Sequence, residues 1–386
     1  MKREVYLDNS ATTRAYQEVA EKMQEVLCRS YGNPSSLHRK GLEAEHEIKE
    51  AKRILAKLWK AEEKEVFFTS GGTEGDNLAI IGAAKAGRRR GNHLITSCVE
   101  HPAVLQAMAA LEEEGFSVTY LPTDPKGKIS LAQLEEALTE ETVLVSLMHV
   151  NNEIGTVQPV EEAGRLIKRK CPETLFHVDA VQSYGKYELF PKSEKIDLCS
   201  VSGHKIHGPK GVGALYIKNG VKLRPLLYGG GQQKDIRPGT ENVPAIAGLG
   251  VAAQKIYEGR KSKTEKMRKL KSRLSEGIKS LPDTVLHGGE GEESAPHIVS
   301  AGFKGVRSEV ILHALEEQGI FVSSGSACAS NHPRISSVLK AIGAKAEYRE
   351  STLRFSLSEF TTEEEIDYTL ENLYNIIPML RRYTRR

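Results

Sequence analysis

The sequence predicts an α/β protein: a layer of mostly parallel strands covered by helices on both faces, followed by a smaller α+β region. Three observations carry that reading. Between about Glu65 and Lys218, short runs rich in Val, Ile and Phe recur along the chain. Amphipathic segments separate most of them, and strands alternating with helices imply a parallel sheet. Beyond a boundary near residue 255, the pattern changes to weaker strands and helices.

In chain order, the strand-like runs are "EVFFTS", "HLITSC", "VTYLP", "TVLVSLMHV", "TLFHVDA", "IDLCSVS" and "GALYIK". Each is short, apolar and bounded by polar or turn residues. Segments such as "AVLQAMAALEEEG" and "SLAQLEEAL" carry apolar residues at helical spacing. A long charged stretch, "AAQKIYEGRKSKTEKMRKLKSRLSEGIKSL", reads as helical. After it come "HIVSAGF", "SEVILHALEEQG", "STLRFSLS" and "EEEIDYTLENLYNII".

Composition narrows the function classes. The chain has 386 residues, of which 39% are hydrophobic and 27% charged, an ordinary globular balance that leaves room for two domains. No stretch is apolar and long enough to span a bilayer. The start, "MKREVYLDNSATT", has basic residues but no apolar signal core, so a cytoplasmic protein is expected. The net charge of +3 says little about partners. The clusters Arg88–Arg90 and "RRYTRR" lack interleaved aromatics, which argues against nucleic acid. Five cysteines (Cys28, Cys98, Cys171, Cys199, Cys328) are widely spaced with no CxxC pair, so metal and thioredoxin-like readings get little support. Cys98 and Cys199 lie in strand-like runs and read as inert core thiols. Cys328 differs. It sits in "SSGSACAS", among small and polar residues that could not bury it, an unusual place for a structural thiol.

In open α/β sheets, ligands bind beyond the carboxyl ends of the strands. After "EVFFTS" comes "GGTEGDN", two glycines and a threonine opening a helix, a geometry that suits an anion such as phosphate. It has neither the GxGxxG pattern nor a Walker lysine. His101 follows "HLITSC", and Asn152 follows "TVLVSLMHV". Asp179 and Gln182 follow "TLFHV". Lys205 follows "IDLCSVS" on a glycine-flanked turn. Singly, each has an ordinary explanation: a cap, a surface histidine, a solvated lysine. Together they place a phosphate cup, a histidine, an asparagine, a carboxylate and a lysine on one rim. That set suits pyridoxal phosphate, which needs a lysine for its Schiff base, a carboxylate for its ring nitrogen and an anchored phosphate.

Ten blocks in order then resemble the cysteine desulfurases of the NifS/IscS type, within fold-type I of the pyridoxal-phosphate enzymes. They are "YLDNSATT", "YGNPSSLH", "FTSGGTEGDNLA", "EHPAV", "HVNNEIGTVQPV", "HVDAVQSYGK", "SGHKIHGPKGVGALY", "GGGQQKDIRPGTENV", "SSGSACAS" and "RFSLSEFTTEEEID". The resemblance spans nearly the whole chain. It implies that Lys205 carries the cofactor, Asp179 pairs with its ring nitrogen, and His101 stacks on the ring. Gln182 and Asn152 would contact the ring side. Thr73, Ser202 and His204, with the Gly72 region, would hold the phosphate. Thr240 would reach the phosphate of the neighbouring subunit of a homodimer, and Arg354 would bind the substrate carboxylate. Lys205 would take the Cα proton of L-cysteine, and the Cys328 thiolate would attack the substrate sulfur. Alanine leaves, and a persulfide remains on Cys328.

The resemblance also divides the chain: a large cofactor domain over 16–255, and a small domain made of 1–15 and 256–386 that carries the cysteine loop (about 323–334). Departures are small. Ser10 stands where alanine is common, and Gly72 and Gly75 stand where members vary. The segment after Cys328 resembles the longer-loop branch rather than the "RxGHHC" branch, which implies delivery to a protein acceptor such as an iron–sulfur scaffold or a thiolation protein. Three other readings compete. An aminotransferase would not need Cys328, a selenocysteine lyase would differ in pocket detail, and a non-enzymatic paralogue would have lost Lys205, Asp179 or Cys328.

Overall fold

Consecutive residues of a strand point to opposite faces of a sheet, so a strand that is apolar at every position must be covered on both sides. In the computed structural model, which describes residues 3–324 and 336–384, that is the arrangement of the main sheet. Its strands are β2 (Val66–Thr69), β3 (His93–Ser97), β4 (Ser117–Leu121), β5 (Thr142–Met148), β6 (Leu175–Asp179), β7 (Leu198–Ser202) and β8 (Gly213–Ile217). They lie in the order β2-β8-β7-β6-β5-β3-β4. β8 runs antiparallel to both its neighbours, and every other pairing is parallel. All seven strand-like runs of the sequence became strands of this sheet.

Residue parity sorts the two faces. Phe68, Ile95, Val145, Val178, Cys199 and Tyr216 enter one hydrophobic cluster, with Trp59, Tyr184 and Ile256. Their sequence neighbours Phe67, Leu94, Leu144, Leu198 and Leu215 enter the other, with Leu78, Ile80 and Met108. The helices Gly72–Gly87 and Pro102–Glu113 cover this second face.

Six further strands are described: β1 (Val5–Tyr6), β9 (Thr284–His287), β10 (Ile298–Phe303), β11 (Ile320–Phe321), β12 (Ser323–Ser324) and β13 (Thr352–Ser356). β12-β13-β10-β9 form an antiparallel sheet, and β1 pairs with β11 in parallel. Val5 and Leu7 pack into the same core as Leu270, Phe303, Leu353 and Ile377. The two ends of the chain therefore share one core.

Two readings of the sequence are corrected. The charged stretch is two helices, Val243–Tyr257 and Arg260–Lys279. Gly259 adopts φ 65°, a left-handed conformation open to glycine, which breaks the run. Cys199 is fully buried in β7, but Cys98 is only partly buried. β3 ends at Ser97, so Cys98 has already left the sheet. Burial pushes both thiols up, Cys199 the more strongly. Among the described residues no helix is long and apolar enough to cross a membrane.

Candidate active site

The same parity builds the site. On the face covered by the helix Gly72–Gly87, polar side chains replace apolar ones towards the carboxyl ends of the central strands. These are Ser146 on β5, His177 and Asp179 on β6, and Ser200 and Ser202 on β7. All five are buried. Asp179 ends β6. Its Oδ1 accepts from the Val181 amide at 2.9 Å, and its carbonyl accepts from the His149 amide at 2.9 Å. It makes no ion pair among the described residues, and burial holds its carboxyl above the usual carboxylate range. A buried carboxylate in that state is matched by a cation such as a protonated ring nitrogen.

Lys205 ends the short turn Gly203–Lys205 directly after β7. Its Nζ donates to the carbonyls of Ser10 at 2.5 Å and Ala11 at 2.7 Å. Gln182 Nε2 donates to the same Ser10 carbonyl at 3.0 Å. His101 caps the helix Pro102–Glu113, its Nδ1 accepting from the Ala103 amide at 3.1 Å. Burial lowers its pKa, against the pull of Asp179 and with the help of the nearby Lys205, which favours the neutral ring.

Gly71 caps the helix that opens at Gly72 and Thr73, the place expected for an anion cup. The first turn of a helix leaves N–H groups for an anion. Space there is kept by missing side chains. A Cβ on Gly72 would stand 2.8 Å from Val181 Cγ2, and a Cβ on Gly213 would stand 2.9 Å from Gly71 Cα. Ser202 lies beside Gly71, its Oγ 3.8 Å from where a Cβ would project. His204 is held through Nδ1 to Thr12 Oγ1 at 3.2 Å, and its pKa is pushed down to about 4, chiefly by burial. The neutral ring can therefore share a hydrogen bond with phosphate but cannot neutralise it. An anion cup, an unpaired buried carboxylate and a lysine on one rim fit pyridoxal phosphate.

Arg354 reaches the rim from β13. It is 5% exposed and donates from Nη1 to the Asn152 carbonyl at 2.9 Å and from Nη2 to Asp8 Oδ1 at 2.9 Å. Its Nε is buried with no hydrogen-bond partner among the described residues. Asn152 thus meets Arg354 through its backbone. Thr240 lies exposed on the loop before the helix Val243–Tyr257. Cys328 lies outside the described residues.

The sequence reading placed the N-terminal segment in the small domain but gave it no part in the site. Asp8 pairs with Arg354, and Ser10 and Ala11 hold Lys205. The Thr13 amide donates to the His204 carbonyl at 2.9 Å, and Thr13 Oγ1 accepts from the His207 amide at 2.8 Å. The block "YLDNSATT" was the available signal, but it lies at no strand end of the main sheet. Glu100, His177 and Asp76 were also missed. Glu100 is fully enclosed beside His101, and burial pushes its carboxyl up to about 8.

Residues 5–369 match the family model "Aminotransferase class-V", and the chain belongs to that family, whose cofactor is pyridoxal phosphate. The chain is 45% identical to the cysteine desulfurase IscS of Clostridium botulinum over 383 residues, covering 99% of this chain and 96% of the relative. It is also 45% identical to a protein of the same name from Methanosarcina thermophila, covering 98% and 93%. Among solved structures it resembles a NifS-like protein with TM-score 0.93 and 39% identity, covering 98% of this chain and all of that one. Another, described as SspA in complex with cysteine, has TM-score 0.79 and 35% identity, covering 94% and 100%.

Proposed function

We infer that this chain is a pyridoxal-phosphate-dependent cysteine desulfurase, which takes sulfur from L-cysteine, releases L-alanine and leaves a persulfide on Cys328. The observation that carries the reading is the convergence of Lys205, Asp179, His101 and the Gly72–Thr73 helix start on one sheet edge, in a chain 45% identical to enzymes of that name over nearly its whole length.

When bound, the cofactor supplies an electron sink for negative charge developing at the substrate's Cα. Lys205 links the cofactor and moves a proton at Cα. Asp179 keeps a proton on the ring nitrogen, and Gln182 and Asn152 contact the ring side. His101 would stack on the ring, its pKa lowered by burial favouring the neutral imidazole. Gly72, Thr73, Ser202 and His204 hold the phosphate, joined by Thr240 from the neighbouring subunit of a homodimer. Arg354 orients the substrate carboxylate, for which a guanidinium fork is suited. The Cys328 thiolate attacks the substrate sulfur. An S–S bond forms, the C–S bond breaks, and its electron pair stays with the carbon that becomes alanine's methyl group.

The division into a large domain (16–255) and a small one (1–15 with 256–386) is supported by Val5 and Leu7 packing with Leu270 to Ile377. A cytoplasmic homodimer that passes sulfur to an iron–sulfur scaffold or a thiolation protein completes the reading.

The test is to add L-cysteine and a reductant to the cofactor-loaded protein and assay alanine and sulfide. Both should form in equal amounts. The Cys328→Ser variant should bind cofactor and L-cysteine yet release neither product at the wild-type rate. Replacement of Cys28, Cys98, Cys171 or Cys199 should leave turnover in place. Full activity in Cys328→Ser would remove the persulfide role.

A further inference from the structure

Behind the active-site lysine lies a second lysine that the reaction as described does not use. Lys186 sits in "QSYGK", just past the Asp179–Gln182 segment. It is 8% exposed. A lysine is seldom buried without a carboxylate beside it, because desolvating an ammonium is costly. Among the described residues Lys186 makes no ion pair. Its Nζ donates instead to one backbone oxygen, the carbonyl of Lys205, at 3.0 Å. The peptide of Lys186 is itself pinned, its carbonyl accepting from Arg260 Nη1 at 3.1 Å and Thr264 Oγ1 at 3.4 Å.

Lys186 and Lys205 both line a small cavity. The other titratable groups around it are His207 from the loop after Lys205, Lys263 from the helix Arg260–Lys279, Glu359 from the segment after β13, and His297 before β10. Most are already committed. Glu359 is bound by Tyr16 and by Lys263 at 2.8 Å. His207 Nδ1 pairs with the Arg14 carbonyl at 2.7 Å. Both histidines are held neutral by burial. His297 meets Gln182 Oε1 through Nε2 at 3.4 Å, and its Nδ1 has no partner among the described residues. Across this space Lys205 therefore faces Lys186 and a Glu359–Lys263 pair that largely cancels, while on its other side Asp179, and Asp8 already paired with Arg354, favour its charged form.

We propose that Lys186 is a positioning residue for Lys205: its side-chain nitrogen anchors the Lys205 carbonyl, and its positive charge favours the uncharged form of the Lys205 side-chain nitrogen. The anchor restrains the turn from which Lys205 must reach both cofactor and substrate. The charge acts in the direction a base requires, since a like charge nearby disfavours protonation. Burial, followed by the charge of Lys205, lowers Lys186 itself to about 7, so its own charge fades above neutrality.

The proposal rests on Lys205 being the cofactor-linked lysine, and the experiment separates the two. Cofactor-loaded wild type and the variants Lys186→Met, Lys186→Gln and Lys186→Arg are reduced with borohydride and mapped. A label found away from Lys205 would refute the assignment of Lys205, not the role of Lys186. With the label on Lys205, the visible absorbance of each protein is titrated with pH, and kcat and KM for L-cysteine are measured. In Lys186→Met the midpoint should rise by about one pH unit, the effect of removing one nearby charge. Its kcat should fall about tenfold, or 1.4 kcal/mol, with KM within about twofold. Lys186→Gln, which keeps a polar group in place should Lys186→Met fold poorly, should show the same rise. Lys186→Arg, whose charge does not fade, should hold the wild-type midpoint or lower it, and should not raise it. An unshifted midpoint in both neutral variants overturns the proposal, as does an equal loss of kcat in all three variants without a shift.

Discussion

Arg354 and Asp8 form an ion pair, Nη2 to Oδ1 at 2.9 Å, between residues 346 positions apart in the chain. It ties the antiparallel sheet to the N-terminal segment, and two residues further on that segment's carbonyls hold Lys205. One strap therefore joins the arginine proposed for the substrate carboxylate to the lysine proposed for the cofactor. With Nη2 on Asp8 and Nη1 on the Asn152 carbonyl, Nε is the one guanidinium nitrogen without a partner among the described residues, and each Nη keeps a second N–H.

Arg354→Lys keeps the charge and loses the fork that serves Asp8 and Asn152 and is proposed to serve the substrate carboxylate. Apparent binding of L-cysteine should weaken by about 1–3 kcal/mol, the range for a charged hydrogen bond. The dependence of rate on cysteine concentration reads it, and an unchanged curve would count against the role.

Asp179→Ala removes a buried carboxylate that no protein cation matches within the described residues. Turnover should be lost while some cofactor remains bound, because the phosphate cup proposed at Gly72 and Ser202 is built from other elements. Near-normal alanine release from this variant would refute the ring-nitrogen role.

Gly72→Ala places a methyl group 2.8 Å from Val181 Cγ2. A β-branched valine turns poorly out of the way, and its own amide is held by Asp179. Overpacking of this kind costs about 1–3 kcal/mol. The expected reading is weaker cofactor retention on dialysis, with the helix Gly72–Gly87 intact by circular dichroism. Wild-type retention would show that the cup has slack.

Glu100→Gln tests the enclosed acid beside His101. Its native carboxyl is raised by burial to about 8, well above the usual value for glutamate. Its stabilising contribution is therefore complete at pH below about 4.3, falls as the unfolded chain ionises, and is lost by about pH 8. Wild-type stability should drop relative to the variant between those limits, by at most about 1.4 kcal/mol per pH unit. Urea unfolding of both proteins at pH 5.5, 7 and 8.5 checks the slope. Parallel curves would mean Glu100 is not protonated in the native state.

The seven strands of the main sheet were legible because each is a short run apolar at both parities, and that pattern needs no knowledge of distant residues. The rim residues were legible for a related reason. His101, Asn152, Asp179 and Lys205 each stand at or after the end of a strand, and parallel strands put their carboxyl ends on one side of the sheet. What the sequence could not reveal were contacts between segments far apart along the chain. Nothing local in "YLDNSATT" says that the carbonyls of Ser10 and Ala11 meet a lysine more than 190 positions away. Nothing in "QSYGK" says that Lys186 turns inward onto the Lys205 carbonyl. The break at Gly259 was visible as a residue but not as a conformation, since glycine inside a helical pattern permits a left-handed turn without requiring one. Local pattern determined the elements and their ends. Burial and long-range pairing, which depend on how those elements pack, decided which polar groups share one site and which charges face each other there.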